Sequence, residues 1–207
     1  MSDTLHFYTN PMSRGGIVRW MLEEVVQPYE THVVAYGPEM KSDAYLAINP
    51  MGKVPALVHG DRVVTECAAI CAYLADAFPQ AGLAPPLEDR AAYYRWLFFA
   101  AGPVEAAVTA KSLGWEPTEE QQRMAGFGNF AAVMDMLDYA VSAGDYLAGN
   151  RFTAADLYLG AHIGWGLQFG TVEARDSFKA YWARLSDRPA YQRAVEIDKA
   201  LMPESPT

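Results

Sequence analysis

Short apolar runs and helically spaced apolar positions alternate along the first 35 residues. Residues 5–8, Leu-His-Phe-Tyr, form a strand pattern, and apolar side chains then recur at helical spacing from Ile17 to Val25. A second apolar run, 32–35, follows a break at Gln27-Pro28. These segments predict a βαβ unit with parallel strands and a right-handed crossover.

The following forty residues predict a hairpin and another helix. Residues 36–50 are mostly polar and predict an irregular passage that contains one short helix. The runs 54–58 and 62–64 flank Gly60-Asp61, a pair that suits a tight turn between antiparallel strands. A helix that ends at Phe78 follows the hairpin.

A proline-rich segment then divides the chain. Residues 79–87 contain three prolines and one glycine, which stop a helix and cannot form a strand ladder. Helical patterns beyond it cover 88–108, 118–142, 153–166, 172–185 and 189–201. We therefore predict an α/β domain over 1–80, a linker over 81–87 and an all-α domain over 88–207.

Composition and charge restrict the possible partners. Hydrophobic residues make up 51% of the 207 positions, which is enough for a sizeable core, and the formal net charge is -9. This charge opposes binding to nucleic acid or to an anionic membrane surface. Because Met1-Ser2-Asp3-Thr4 lacks the basic region of a signal peptide and no apolar run could span a bilayer, we expect a cytoplasmic protein.

The cysteines and histidines form no metal or redox motif. Cys67 and Cys71 have three intervening residues, unlike a Cys-x-x-Cys pair, and are predicted to be buried on one helix face. The histidines are scattered singly, at His6, His32, His59 and His162. We therefore expect no metal site and no disulfide-reductase chemistry.

Two predicted helices begin directly after strands, where backbone N–H groups and the helix dipole favour anions. The first start is Asn10-Pro11-Met12-Ser13-Arg14, and the second is Val64-Thr65-Glu66-Cys67. Between them lies Asn49-Pro50-Met51-Gly52-Lys53-Val54-Pro55, in which the Val54-Pro55 bond is a candidate cis peptide. Such a bond would turn the backbone N–H and C=O of Val54 toward an extended peptide ligand.

These segments together resemble the glutathione-binding domain of cytosolic glutathione transferases. The resemblance rests on Ser-Arg after the first strand, Asn-Pro-x-Gly-Lys-Val-Pro before the third, and Thr-Glu-Cys-Ala-Ala-Ile at the next helix. Phe152-Thr153-Ala154-Ala155-Asp156 also resembles the capping box that opens a core helix in that family. The resemblance implies a thioredoxin-like N-terminal domain that binds glutathione and a helical bundle domain that binds an apolar electrophile.

The resemblance implies a role for each motif position. Glu66 would bind the α-amino group of the γ-glutamyl end, and Thr65 or Cys67 would bind its carboxylate. Val54 would pair with the cysteinyl backbone, and Lys53, with Lys41, would approach the glycine carboxylate. Cys67 replaces the usual serine and is a poorer donor. The predicted glutathione-binding residues are Met12, Arg14, Lys41, Lys53, Val54, Pro55, Thr65, Glu66 and Cys67. The alternatives are a dipole partner for Glu66 and solvated surface for the lysines.

The implied chemistry needs a donor to the glutathione thiol, because the thiolate is the nucleophile. Ser13 is our candidate for this catalytic role, and capping the helix is its alternative duty. Two registers of the family pattern place the active position at Asn10 or at Met12, and Met12 has no side-chain donor. Tyr8 and Thr9 are the other nearby hydroxyls.

The second substrate is expected to bind in an apolar pocket of the helical domain. Tyr94, Phe98 and Trp115 are its predicted lining, although such rings also suit a core or a dimer interface. We expect a homodimer in which glutathione is a co-substrate and no prosthetic group is bound.

Other functions stay open on the same scaffold. Glutathione-dependent peroxidase activity uses the same thiolate, and a maleylacetoacetate-type isomerase should have basic residues in its second pocket. The absence of a donor at Met12 motivates a third alternative, a non-catalytic binding module.

Overall fold

The computed structural model describes residues 4–202, so Met1-Ser2-Asp3, on which the signal-peptide argument partly rests, lies outside the described residues. Contacts divide the chain into two compact units. The first unit runs to Gly82 and also includes the chain from Arg188 onward, and the second unit is Leu83–Asp187.

A mixed four-stranded sheet forms the centre of the first unit. Its strands are β1 (Leu5–Thr9), β2 (Tyr29–Val33), β3 (Ala56–His59) and β4 (Arg62–Thr65), in the order β2-β1-β3-β4. Strands β1 and β2 are parallel, and β3 is antiparallel to both of its neighbours. The thioredoxin-like arrangement, including the hairpin turn at Gly60-Asp61, is confirmed.

Strand β2 begins three residues earlier than its apolar run predicts. It pairs with β1 from Leu5 opposite Tyr29 to Thr9 opposite Val33. The Tyr29 and Thr31 oxygens accept hydrogen bonds from the Arg19 guanidinium at 3.2 and 2.7 Å. Partly buried hydrogen bonds therefore stabilise a stretch of the strand that has no apolar pattern.

Within residues 4–202, four α-helices complete the first unit: α1 (Gly15–Val25), α2 (Asp43–Leu46), α3 (Cys67–Ala77) and α9 (Pro189–Ala200). Helix α1 packs against both α3 and α9. The buried Arg19 of α1 pairs with Asp198 of α9 at 3.0 Å, and burial raises the pKa of that carboxyl although Arg19 opposes the shift. Helix α9 therefore packs in the first unit, whereas the sequence pattern assigned it to the all-α domain over 88–207.

The second unit is helical. Its helices are α4 (Ala91–Phe99), α5 (Glu105–Ser112), α6 (Phe130–Ser142), α7 (Ala154–Phe169) and α8 (Asp176–Ser186). A π-helical turn, Ala100–Val104, joins α4 to α5. No helix within residues 4–202 is long and apolar enough to cross a membrane.

The helix predicted over 118–142 is wrong in its first half. Helix α6 begins only at Phe130, where the Asn129 side chain accepts a hydrogen bond from the Ala132 N–H at 2.9 Å. Gly126 and Gly128 precede this cap, and Gly128 has a φ of 67°, in the left-handed region that glycine favours. A new helix start thus interrupts the predicted one.

The predicted capping box of α7 is confirmed. The Asp156 carboxylate accepts hydrogen bonds from the Thr153 N–H at 2.9 Å, from the Leu147 N–H at 2.8 Å and from the Tyr181 hydroxyl at 2.7 Å. Burial raises the pKa of Asp156, and these hydrogen bonds oppose the shift. The box anchors the start of the most buried helix in this unit.

Candidate functional site

The strand register brings the three predicted binding segments to one edge of the sheet. Tyr8 of β1 pairs with Ala56 of β3, which pairs in turn with Thr65 of β4. The chain after β1, before β3 and after β4 therefore leaves the sheet at the same edge. The Cys67 thiol donates to the Arg14 carbonyl at 3.6 Å, which links the two helix starts directly.

The first helix start is capped internally. The Ser13 hydroxyl donates to the Asn10 carbonyl at 2.6 Å and accepts from the Gly15 N–H at 3.0 Å. The N–H groups of Gly16 and Ile17 donate to the Ser13 and Arg14 carbonyls. These amides serve the turn itself, so the anion site predicted here has fewer donors to offer than the sequence suggests.

Asn10 and Met12, the two alternative positions for the active residue, both make hydrogen bonds that stabilise the fold. Asn10 is buried, donates to the Val34 carbonyl at 3.0 Å and accepts from the Met12 N–H at 3.0 Å. The Met12 carbonyl accepts from the Tyr36 hydroxyl at 3.2 Å, and its side chain is 59% exposed.

The two neighbouring hydroxyls belong to β1 itself. Thr9 is fully buried, and the half-buried Tyr8 ring stacks on His32 with centroids 4.6 Å apart. Ser13 is also half-buried and lies in the turn that follows β1. It is therefore the one of these three hydroxyls that stands beyond the strand end, where a ligand at the sheet edge would approach.

The loop before β3 is held in a fixed shape. The Asn49 side chain and the Tyr45 hydroxyl both donate to the Lys53 carbonyl, at 2.8 and 2.6 Å. Gly52 has a φ of 56°, and a Cβ atom there would lie 2.8 Å from the Met40 carbonyl oxygen. Only glycine therefore fits this turn without a shift of its neighbours.

Val54 presents an unused backbone donor and acceptor beside this loop. The Val54–Pro55 bond is cis, as the sequence suggested. Neither the N–H nor the C=O of Val54 bonds to any residue between 4 and 202. An extended peptide could fill both, in the manner of an added strand.

The two predicted lysines have different surroundings. The Lys41 ammonium donates to the Met51 and Gly52 carbonyls, both at 2.9 Å, and so braces the loop. The Lys53 ammonium is exposed and has no ion pair within the described chain. Both line an open groove of about 410 Å³ together with Tyr36, Gly37, Pro38, Met40, Gly52 and Val54.

The second helix start is open. The amides of Ala68 and Ala69, in the first turn of α3, donate to no acceptor in the described part of the chain. Thr65, half-buried, ends β4 just before them, and Cys67 is buried. Unfilled N–H groups and the helix dipole point outward here, which is what a carboxylate requires.

Glu66 occupies a strained position at this start. Its φ of 66° and ψ of 119° lie where a residue other than glycine is held at a cost of about 1–3 kcal/mol. Its exposed carboxylate makes no hydrogen bond or ion pair with residues 4–202. Such strain around an unpaired charge is typical of a binding position.

The predicted aromatic lining of the second pocket is divided. Trp115 lines a shallow, open groove of about 740 Å³ within the second unit, with Ala101, Gly102, Glu105, Ala106, Thr109, Ala110, Leu113 and Phe127. Tyr94 and Phe98 do not line this groove. They lie on α4, 42% and 65% exposed, with ring centroids 6.4 Å apart.

Two contributors to the site escaped the sequence interpretation. Tyr36 stands in a polar stretch without periodicity, and nothing in the sequence distinguishes it from surface. Asn49 belongs to a quoted motif, and its spacing before glycine was a usable sign of a side-chain-stabilised turn.

Comparison with known proteins agrees with this architecture. Residues 16–77 match the family model for the glutathione S-transferase N-terminal domain, and residues 90–189 match that for the C-terminal domain. Glutathione S-transferase F9 of Arabidopsis thaliana is 30% identical, over 76% of this chain and 80% of its own length.

Solved structures are also similar. A glutathione transferase from Methylococcus capsulatus has a TM-score of 0.79 at 28% identity, covering 95% of this chain and 100% of its own. A sphingomonad glutathione S-transferase complexed with glutathione has a TM-score of 0.74 at 27% identity, with 94% and 98% covered. The chain therefore belongs to the glutathione S-transferase family of enzymes.

Proposed function

We propose that this protein binds glutathione along the sheet edge and transfers it, as a co-substrate, to a hydrophobic electrophile. The main support for the proposal is the row of charged and backbone groups at that edge that make no hydrogen bond or ion pair within the described residues. Glu66 and the open amides of α3 suit the amino and carboxylate groups of a γ-glutamyl end. The backbone of Val54 suits the central residue, and Lys53 suits the terminal carboxylate.

Ser13 is the residue proposed to donate a hydrogen bond to the glutathione thiolate. Its hydroxyl oxygen already accepts from the Gly15 N–H, and that bond polarises the O–H group and strengthens it as a donor. The hydroxyl hydrogen, directed at the Asn10 carbonyl in the structure, would rotate onto the sulfur. The exchange is favourable because a hydrogen bond to an anion is about twice as strong as one to a neutral acceptor.

The shallow groove around Trp115 is the proposed place for apolar parts of the second substrate. Its lining is mostly small and apolar, and its one ionisable member is acidic: Glu105. A diacid isomerase would need basic residues there, so the lining favours transfer to an uncharged electrophile. Peroxide reduction uses the same thiolate, and assays with a peroxide and with an aromatic halide would separate the two activities.

A cytoplasmic homodimer is proposed as the working form. The exposed rings of Tyr94 and Phe98 on α4 supply the kind of aromatic surface that subunit interfaces use. Cys67 and Cys71 are buried and form no disulfide with each other, in keeping with a reducing compartment. Light scattering at twice the chain mass would support the dimer, and a single-chain mass would exclude it.

Calorimetric titration with glutathione tests the proposed function. The wild-type protein should bind one glutathione per chain, and Glu66→Gln should weaken binding at least tenfold because it removes a charge-assisted partner of the α-amino group. Glu119→Gln, an exposed change in the second unit, is the matched control and should leave binding unchanged. Absence of binding to the wild-type protein would refute the enzyme and leave only a binding module for other ligands.

A further inference from the structure

The pairing of β1 with β2 brings together three side chains of metal-binding type. His6 pairs with Glu30 across the two strands, and His32 stands two residues further along β2, opposite Tyr8. Because alternate residues of a strand point to the same face, His6, Glu30 and His32 share one face of the sheet. The two histidines are 26 positions apart in sequence, so no short sequence motif predicts that they lie together.

The separations of these groups suit a single cation. The His6 Nδ1 lies 3.1 Å from the His32 Nε2 and 3.3 Å from the Glu30 Oε2. All three ligand atoms lie within 4.8 Å of one another. A tetrahedral Zn²⁺ with bonds of about 2.0–2.1 Å separates its ligand atoms by about 3.3 Å. Two of the three separations therefore already match the spacing that such an ion requires.

The surroundings also hold one ligand in place. The His32 ring stacks on Tyr8 at 4.6 Å, which restrains the orientation of its imidazole. His6 and Glu30 have side chains that are 36% and 61% exposed, so an ion can enter and water can complete its coordination. The alternative is a hydrogen-bonded pair of imidazoles, in which one nitrogen must carry a proton that a metal would displace.

We propose that His6, Glu30 and His32 form a binding site for a late first-row divalent cation, with Zn²⁺ as the reference ion. Two imidazole nitrogens and one carboxylate oxygen are ligands that Zn²⁺ accepts readily, and water takes the fourth position. His6 and Glu30 lie three residues, about 10 Å at 3.3 Å per residue, before the ends of β1 and β2, and His32 lies one residue before the end of β2. None of the three belongs to the segments proposed to hold glutathione.

Titration of the metal-free protein with Zn²⁺ tests the proposal, with Co²⁺ as a spectroscopic substitute. We expect one ion per chain and a visible Co²⁺ spectrum of tetrahedral type. His32→Gln and Glu30→Gln should each lower the association constant at least tenfold and abolish that spectrum. His59→Gln is the matched control, because His59 lies on the same sheet opposite Leu5 and so on the other face.

Two outcomes would overturn the proposal. One is the absence of saturable Zn²⁺ binding, and the other is equal binding by the wild-type protein and both ligand variants, which would place the ion elsewhere. The midpoint of urea unfolding, measured without metal, reports whether each variant is folded. Because Glu30 is exposed, Glu30→Gln keeps the test decisive if His32→Gln fails to fold.

Discussion

Ser13 shows how one residue can serve both structure and chemistry. Its hydroxyl stabilises the turn between β1 and α1 through the Asn10 carbonyl and the Gly15 N–H, directly before Arg14, the N-cap of α1. This is a local role close to the capping duty that the sequence suggested. The same geometry leaves a polarised, partly accessible hydroxyl beside the proposed sulfur position. The two roles make different predictions, since a cap affects stability and a thiolate donor affects the pH dependence of turnover.

Replacing Ser13 with alanine should separate these roles. Loss of the cap should lower the free energy of unfolding by about 1 kcal/mol. Loss of the thiolate donor should lower kcat/KM near neutral pH at least tenfold and move the acid limb of its pH profile upward, with little change in glutathione affinity. Ser13→Thr keeps a hydroxyl and is the matched control. An unshifted pH profile in Ser13→Ala would assign Ser13 to capping alone.

The sequence predicts the site residues that belong to a motif or that act through their backbone groups. Val54 and Glu66 could be singled out because their motifs imply a geometry, and the structure gives both an unfilled binding group. The sequence favoured Lys53 over Lys41 as a ligand of the glycine carboxylate, but it could not predict that Lys41 braces the loop, because which carbonyl a flexible ammonium meets depends on the folded loop. Tyr36 and the His6–His32 pair stayed hidden, since each depends on a long-range contact.

At the scale of elements, the loop 49–53 is the part of the site with the most internal support. Lys41, Asn49 and Tyr45 all bond to its carbonyls. Lys53 is carried by this loop and makes no such bond with its side chain. The first lysine therefore builds the loop, and the second remains available to a ligand.

Parallel substitutions of the two lysines test this division. Lys53→Met should raise the glutathione KM about two- to fivefold, as an exposed ion pair would, and leave urea unfolding unchanged. Lys41→Met should lower the free energy of unfolding by about 0.5–1.5 kcal/mol, because two loop carbonyls exchange the Lys41 ammonium for water, and should also raise KM. The opposite pattern, with stability lost in Lys53→Met alone, would contradict the assignment.

The elements that sequence periodicity missed have definite physical causes. Strand β2 is set by its pairing with β1 and by Arg19, neither of which leaves an apolar pattern in 29–31. No α-helix forms over 118–129. The glycines and the asparagine cap before Phe130 indicate a new helix start, and the prediction of one long helix did not take them into account. Segments with strong patterns, such as α1 and α3, were predicted well because burial of one face determines them.

At the scale of the whole molecule, the charge of -9 is unfavourable for an anionic tripeptide. Attraction must be local, and the structure supplies local donors in the open amides of α3 and the ammonium of Lys53. Salt should therefore have little effect on the glutathione affinity up to moderate concentrations. Screening weakens the local ion pair, but it also weakens the long-range repulsion between the acidic protein and the anionic ligand.

Alkaline pH should weaken the fold through buried tyrosines. Burial raises the pKa of Tyr29 and of Tyr45 from 10.0 to about 12, with Arg19 opposing the shift at Tyr29 and Tyr8 adding to it at Tyr45. The neutral form is favoured in the folded state, so this stabilisation is complete below pH 10 and is lost as pH rises to about 12. Urea unfolding across this window should show a shallower decline in Tyr45→Phe than in the wild-type protein. Identical slopes would contradict the burial argument.

A crystal structure of the glutathione complex would show the proposed contacts themselves. We expect the cysteinyl backbone to pair with the N–H and C=O of Val54 and the γ-glutamyl end to contact Glu66 and the α3 amides. The sulfur should lie within about 3.5 Å of the Ser13 oxygen. Glutathione bound away from this edge, or a sulfur facing a group other than Ser13 with the hydroxyl still on the Asn10 carbonyl, would contradict the proposal.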